Sequence, residues 1–224
     1  MQRRPSLLLV LSGPCGTGKT SLSLAWQQRE PDLIYSRSVT TRAPRTGFAP
    51  EPQYDFITRD EFLHKVEAGD FAQWIHPSFD EYYGTARAPI DKAIAEGRDM
   101  VFDYCPEGYL NLKRFYPDHV VGIFIMAPDV ETMHRRLVGR NTETNEELKL
   151  RYQMALQDFN FVDQHEYHVV NDDFEIALTQ LQAIRVAERL RLSRQRQVIQ
   201  HYQHVARPSL LRYYEPAKLD AAGV

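Results

Sequence analysis

"GPCGTGKT", Gly13 to Thr20, directly follows the apolar run "SLLLVLS", Ser6 to Ser12. The run is short and is stopped by Gly13-Pro14, so it reads as a buried strand. After the loop, Thr20 to Gln28 carries Leu22, Leu24, Ala25 and Trp26 as the apolar positions of a helix. Strand, glycine loop and helix form the context in which G-x-x-x-x-G-K-[ST] cradles phosphates. Gly13, Gly16 and Gly18 let the backbone turn its N–H groups inward, with Pro14, Cys15 and Thr17 filling the loop. Lys19 supplies a point charge for the β- and γ-phosphates, and Thr20 a hydroxyl for Mg²⁺. The following helix adds its positive end. A glycine turn without a ligand is the bland alternative, and the complete motif in this context argues against it. ATP and Mg²⁺ are therefore the expected cofactors.

The chain has 224 residues, room for one substantial domain or a domain with a small lobe. A formal net charge of −3 gives no basic field for nucleic acid. No apolar run approaches the roughly 20 residues that span a bilayer. Arg3 and Arg4 precede "LLLVL" as in a signal peptide, but the run is too short and the glycine loop follows at once. Cys15 and Cys105 make no disulfide framework, so a reduced, cytoplasmic setting fits best. The sequence leaves the oligomeric state open.

Further strands are expected at Leu33–Tyr35, Phe71–Ile75, Asp99–Tyr104, Val120–Met126 and His168–Val170. Helices are expected at Asp60–Ala68, Ala88–Glu96, Val130–Gly139 and Glu146–Asn160, with one long helix from Phe174 to about His204. Arg37 to Gln53, rich in Thr, Arg, Pro and Gly, reads mostly as loop. The tail from Arg207 reads as loosely packed or disordered. Alternating strands and helices predict an α/β fold with a mainly parallel sheet.

Two more stretches carry chemistry. Asp103, near the end of "DMVFDY", stands where a metal-supporting acid stands, acting partly through water because Mg²⁺ keeps its waters. A turn-capping aspartate is the alternative. "SVTTRAPRTG", Ser38 to Gly47, places Arg42 and Arg45 three apart around Pro44, and two guanidinium groups can chelate a phosphate dianion. Ser38, Thr40 and Thr41 add hydroxyls, and "EYYGT" adds Tyr82, Tyr83 and Thr85. By residue type alone, a solvated basic loop and a core aromatic pair are equal readings.

The cradle, "SVTTRAPRTG", "YDF", "YYGT", "IFIMAP", "RRLVGRNTET" and "VVNDD" occur in an order that resembles the guanylate kinase family, over roughly residues 7–184. The resemblance implies a P-loop nucleoside monophosphate kinase fold and γ-phosphoryl transfer from ATP to GMP. It implies an acceptor-binding lobe at about 37–88, a lid at about 136–152 and a C-terminal extension from 185. By that resemblance Ser38, Arg42, Arg45, Tyr54 and Tyr83 hold the acceptor phosphate, and Thr85 lies near the base. Arg136, Arg140 and Arg151 resemble arginines that close on the transferring phosphoryl, and Asn171 a position near the adenine. Arg136 and Arg140 are four apart, so they share a helix face.

The chain departs from the family where guanine is read. Gln73 stands in "FAQW" and Cys105 in "DYC", where the family has acids, and Gly47-Phe48 replaces Gly-Glu. Guanine presents two donors, N1–H and the exocyclic amine. A glutamine amide offers one acceptor oxygen plus an NH₂, and a thiol is a weak partner. Relaxed or altered base recognition is therefore expected, with adenine, a pyrimidine or a modified base among the candidates. Asp80 or Glu81 could supply a replacement acid. The alternatives are a kinase of a phosphorylated sugar and a non-catalytic binding scaffold. The intact Lys19, Thr20 and Asp103 argue against the scaffold.

Overall fold

In the computed structural model, residues 5–44, 51, 53–77, 80–139 and 145–214 are described. The chain runs β1 (Leu8–Ser12), α1 (Lys19–Arg29), β2 (Ile34–Tyr35), β3 (Ser38–Thr40), β4 (Tyr54–Phe56), α2 (Arg59–Glu67), β5 (Phe71–Ile75), β6 (Tyr83–Ala86), α3 (Arg87–Glu96), β7 (Met100–Asp103) and α4 (Pro106–Phe115). It continues with β8 (Val120–Met126), α5 (Val130–Val138), α6 (Asn145–Asp158), β9 (Tyr167–Val170), α7 (Phe174–Leu190) and α8 (Arg196–Tyr214).

One sheet has the order β2-β7-β1-β8-β9, and every pair in it is parallel. Successive side chains of a strand point to opposite faces, and β1 shows this directly. Leu7, Leu9 and Leu11 pack with Leu22 and Trp26 of α1 and with Leu178 and Leu181 of α7. Leu8 and Val10 pack on the other face with Ile90 of α3 and with Tyr109 and Leu112 of α4. A strand buried on both faces must read as a continuous apolar run, which is why "LLLVL" was legible.

The second sheet has the order β4-β3-β6-β5, with β6 antiparallel to both β3 and β5. Val39, Phe62, Phe71 and Tyr82 form its own small core under α2. Helix α2 starts with a capping box: Thr58 accepts from the Glu61 backbone N–H, and the Glu61 carboxylate accepts from the Thr58 N–H.

Several expectations change. The stretch read as mostly loop contains β3, because Val39 and Thr40 pair with Gly84 and Tyr83, more than 40 positions away, and with Asp55 and Phe56 of β4. "YYGT" leads into β6, and its Tyr82 is a core residue whose hydroxyl accepts from Arg59. Helix α4 was not foreseen. It starts at Pro106, whose missing N–H costs nothing at a first helical position.

The single helix expected from Phe174 to His204 is two helices, α7 and α8, separated by a 3₁₀ turn at Leu192–Arg194. The sequence lacks a stop signal there. The break is tertiary: Arg194 Nε donates back to Glu188 Oε2 at 3.0 Å, and Glu188 is fully buried. The tail expected to be loose from Arg207 is helical as far as Tyr214. Pro208 removes one donor, while the flanking Leu and Arg residues favour helix.

Below the break, α7 is tied to the parallel sheet by charge. Arg185 donates through Nε to Asp99 Oδ2 at 2.8 Å and through Nη2 to Asp32 at 2.7 Å, and it also pairs with Glu30. Asp99 further accepts the Leu7 N–H at 3.0 Å and Arg189 Nε at 2.9 Å. Both Arg185 and Asp99 are buried. Removing one member of such a pair leaves an uncompensated buried charge. Arg185→Ala is expected to lower unfolding stability by about 3 kcal/mol in urea titrations. Arg189→Ala, at the half-exposed rim, should cost no more than about 1 kcal/mol.

Candidate active site

The cradle lies between β1 and α1 and is built from strained backbone. Gly13, Gly16 and Gly18 have φ of 131°, 82° and 90°, which β-carbon-bearing residues rarely adopt. Space is also closed at Gly13, where a Cβ would lie 2.5 Å from the Ile125 carbonyl oxygen. At Gly18 a Cβ would collide with the Asn171 amide. Within the loop, Thr17 Oγ1 donates to the Pro14 carbonyl at 2.9 Å. Lys19 Nζ donates to the Gly13 and Pro14 carbonyls at 2.8 and 2.9 Å, so the ammonium is held across the loop. Cys15 packs against Met133, Leu137 and Ala155 on α5 and α6.

Asn171 is the brace of this loop. Its Nδ2 donates to the Thr17 carbonyl at 2.8 Å, and its backbone N–H donates to Met126. The amide nitrogen that the resemblance put near adenine is therefore engaged with the cradle itself. Arg136 Nη1 donates to the Asn171 carbonyl at 3.0 Å, and Arg151 Nη1 donates to the Cys15 sulfur at 3.6 Å. Two of the three expected arginines thus reach the cradle from different helices. Arg140 and Arg45 lie outside the described residues, as do Gly47 and Phe48.

Thr20 Oγ1 donates to Asp103 Oδ2 across the α1–β7 boundary. The two residues predicted to serve a metal are therefore adjacent. Their oxygens suit a hard cation such as Mg²⁺. Among the described residues, no group of three or more His, Cys, Asp or Glu could hold a metal by itself.

On the second sheet, Arg42 lies over the Tyr54 and Phe56 rings, 5.1 and 5.5 Å from their centroids. Its Nη2 donates to Glu51 Oε1 at 2.8 Å. Tyr54 and Tyr83 meet edge to face at 6.3 Å, and the Tyr83 hydroxyl donates to Glu81 at 2.7 Å. Ser38 starts β3 opposite Tyr54. Arg42, Tyr54, Tyr83 and Ser38 are thus brought together on one small sheet. Glu51, the acid facing Arg42, was missed by sequence reading. No spacing rule links positions 42 and 51 across a loop.

Asp80 and Glu81 do not supply the replacement acid foreseen for the base. Asp80 is exposed and accepts from Arg59 at 3.1 Å, with His76 also at 3.1 Å. Glu81 is engaged by Tyr83 beside the phosphate cluster.

Gln73 on β5 and Thr85 on β6 are buried, and Gln73 Nε2 donates to Thr85 Oγ1 at 3.1 Å. Thr85 hydrogen-bonds the Tyr104 hydroxyl, which Gln73 and Ser36 also reach. Cys105 is the first residue before α4, where burial pushes its thiol up to about 11. The thiol is neutral at physiological pH. Tyr35 links the two halves of the site. Burial raises its hydroxyl, and the charges of Asp103, Tyr54 and Tyr104 all act on it.

Sequence reading also missed Asp158, the last residue of α6. Burial raises its carboxyl to about 6, and the nearby Lys19 charge partly opposes the rise. The carboxyl also acts on Cys105 at the start of α4. A carboxyl raised by folding binds its proton more tightly in the folded than in the unfolded chain. Its contribution is thus full below about pH 4 and is lost as pH rises through about 6. Asp158→Asn should flatten this fall and raise Tm at pH 7.5 by about 2–4 °C. The gain should vanish near pH 4 in parallel thermal melts.

Fold and site together define a P-loop kinase: a glycine loop with Lys19 and a Thr20–Asp103 hydrogen bond, and an arginine–tyrosine cluster on a second sheet. The guanylate kinase family profile matches residues 5–188, and the chain belongs to that family. It is a nucleoside monophosphate kinase that uses ATP. A guanylate kinase of Maricaulis maris is 40% identical over 189 residues, covering 84% of this chain and 86% of that one. A guanylate kinase of Caldanaerobacter subterraneus is 36% identical over 192 residues, covering 86% and 92%. The crystal structure of guanylate kinase from Anaplasma phagocytophilum superposes with a TM-score of 0.71 at 25% identity, over 87% of this chain and 91% of that one.

Proposed function

We propose that the protein transfers the γ-phosphoryl group of ATP to GMP, with Mg²⁺, and that the arginine–tyrosine cluster holds the acceptor phosphate. The observation that carries this is the intact donor side: Lys19 held within the cradle and Thr20 bonded to Asp103. A binding scaffold would have no need of either. The cation, when bound, offsets charge on the β- and γ-phosphates and orients them.

An oxygen of the acceptor phosphate is already ionised at neutral pH, so no general base is needed. It attacks the γ-phosphorus while the bond to the β–γ bridging oxygen breaks. Lys19, Arg136 and Arg151 offset the charge spreading over the phosphoryl oxygens, together with Arg140 by resemblance. Arg42 releases Glu51 to pair with the acceptor phosphate, which presents two oxygens to a guanidinium fork. Arg45, Ser38, Tyr54 and Tyr83 complete that subsite. Closure of α5 and α6 over the cradle excludes water and limits ATP hydrolysis. Cys15 and Cys105 are free thiols, which suits a reducing cytoplasmic setting. Among the described residues, no helix is long and apolar enough to cross a membrane.

Coupled-assay kinetics with ATP, Mg²⁺ and GMP test this reading. Lys19→Ala should lower kcat by about 10²–10³, the scale of one lost charge stabiliser. Arg42→Ala should raise KM for GMP by about ten- to a hundredfold and leave KM for ATP within about twofold. ATP binding without transfer to any monophosphate would establish the scaffold reading instead.

A further inference from the structure

The surroundings of Gln73 are polar and buried, and its hydrogen-bond partners are uncharged. Gln73 is only 6% exposed, and its Oε1 has no hydrogen-bond partner among the described residues. Its amide nitrogen is engaged with Thr85 Oγ1 and lies in reach of the Tyr104 hydroxyl. The orientation is fixed by counting donors. A flipped amide would bury two N–H donors away from these hydroxyls, a worse arrangement than one lone oxygen. What Gln73 offers a ligand is therefore a single acceptor. A buried acceptor without a donor is costly, so the oxygen is a standing demand for an N–H.

Among the described residues, the side chains bonded to Gln73 are hydroxyls, and the Asp103 carboxylate, which acts on Tyr104, is engaged by Thr20. Thr85, Tyr104 and Ser36 hydrogen-bond among themselves. Cys105 is a neutral thiol. The carboxylates in electrostatic reach of Cys105 are Asp158, which faces Lys19, and Glu107, which is exposed. Neither hydrogen-bonds to the Gln73 cluster among the described residues.

We infer that Gln73 reads the acceptor base through its ring N–H alone, so that 6-oxopurine monophosphates are accepted whether or not they carry the 2-amino group. This rests on the monophosphate kinase reading above. Guanine and hypoxanthine share the N1–H and the 6-oxo group and differ only in that amine. A site with two acceptors rejects the base lacking the amine, because a buried acceptor is then left unpaired. A site with one acceptor aimed at N1–H makes no such distinction. Adenine has no hydrogen on N1, so its ring nitrogen would face the Gln73 oxygen acceptor to acceptor.

The test is kcat/KM for GMP, IMP and AMP with ATP and Mg²⁺ on the full-length protein. The expected result is a GMP-to-IMP ratio below about tenfold, with AMP at least about tenfold below both. Gln73→Leu should lower GMP and IMP together, by about ten- to a hundredfold, with KM for ATP unchanged. Gln73→Glu combined with Cys105→Asp should raise the GMP-to-IMP ratio by about tenfold or more. Thermal shifts of the wild-type protein with GMP and with IMP give a readout that needs no variant, and they should be similar. A wild-type GMP-to-IMP ratio above about tenfold, or AMP used as well as GMP, overturns the inference and leaves the kinase reading standing. Turnover of none of the three sinks the GMP kinase reading, and this inference with it.

Discussion

The site depends on the backbone of one loop. Gly13, Gly16 and Gly18 take positive φ, and Thr17 and Lys19 hold the loop from within by donating to the Pro14 and Gly13 carbonyls. Asn171 does so from outside, by donating to the Thr17 carbonyl. Its position follows from the parallel pairing of β8 with β9, which ends with Met126 beside Val170. The same residue's carbonyl receives Arg136 from α5. One asparagine therefore joins the cradle, the sheet edge and the arm that carries a transfer arginine. A second tie, Thr20 to Asp103, joins the cradle to the strand on its other side.

The acceptor side is built on different physics. Its sheet is small, two of its three strand pairings are antiparallel, and its core consists largely of aromatic rings. Arg42 there pairs with Glu51, and the Tyr83 hydroxyl donates to Glu81. A phosphate dianion can displace Glu51, because a guanidinium fork pairs with phosphate as readily as with carboxylate. Around Gln73 the hydrogen-bond partners are uncharged, and the Asp103 charge acts on Tyr104 from beside them. Neutral hydroxyls, an amide and a thiol stand there. A pocket of uncharged partners gains less from each contact but discriminates less between ligands that differ by one donor.

Far from the site, Asp99 gathers the Leu7 N–H, Arg185 and Arg189 into one buried knot. That knot fixes the start of β1 against α7 and so sets the strand from which the cradle emerges. Glu188, one turn further on, draws back Arg194 and ends the helix. Charges shape the C-terminal third as firmly as apolar packing shapes the sheet.

The sequence by itself determined the parts governed by local rules. "LLLVL" followed by the glycine loop and Lys19-Thr20 can be read without any distant residue, because conformation and chemistry both lie within a dozen positions. The same holds for the strands at 100–103 and 120–126, whose burial on two faces leaves an unbroken apolar run. Tertiary structure decided what depends on distant partners. Only pairing with β4 and β6 turns Val39–Thr40 into strand. Only Glu188 breaks the long C-terminal helix, although 174–204 reads as continuous. Burial beside the cradle, and not its own residue type, makes Asp158 a titrating group near Lys19. The replacements at Gln73 and Cys105 were visible in the chain, but the sequence left Gln73 able to present donor or acceptor. Which atom faces a ligand was decided by Thr85 and Tyr104, whose hydroxyls hold the amide nitrogen and leave the oxygen alone.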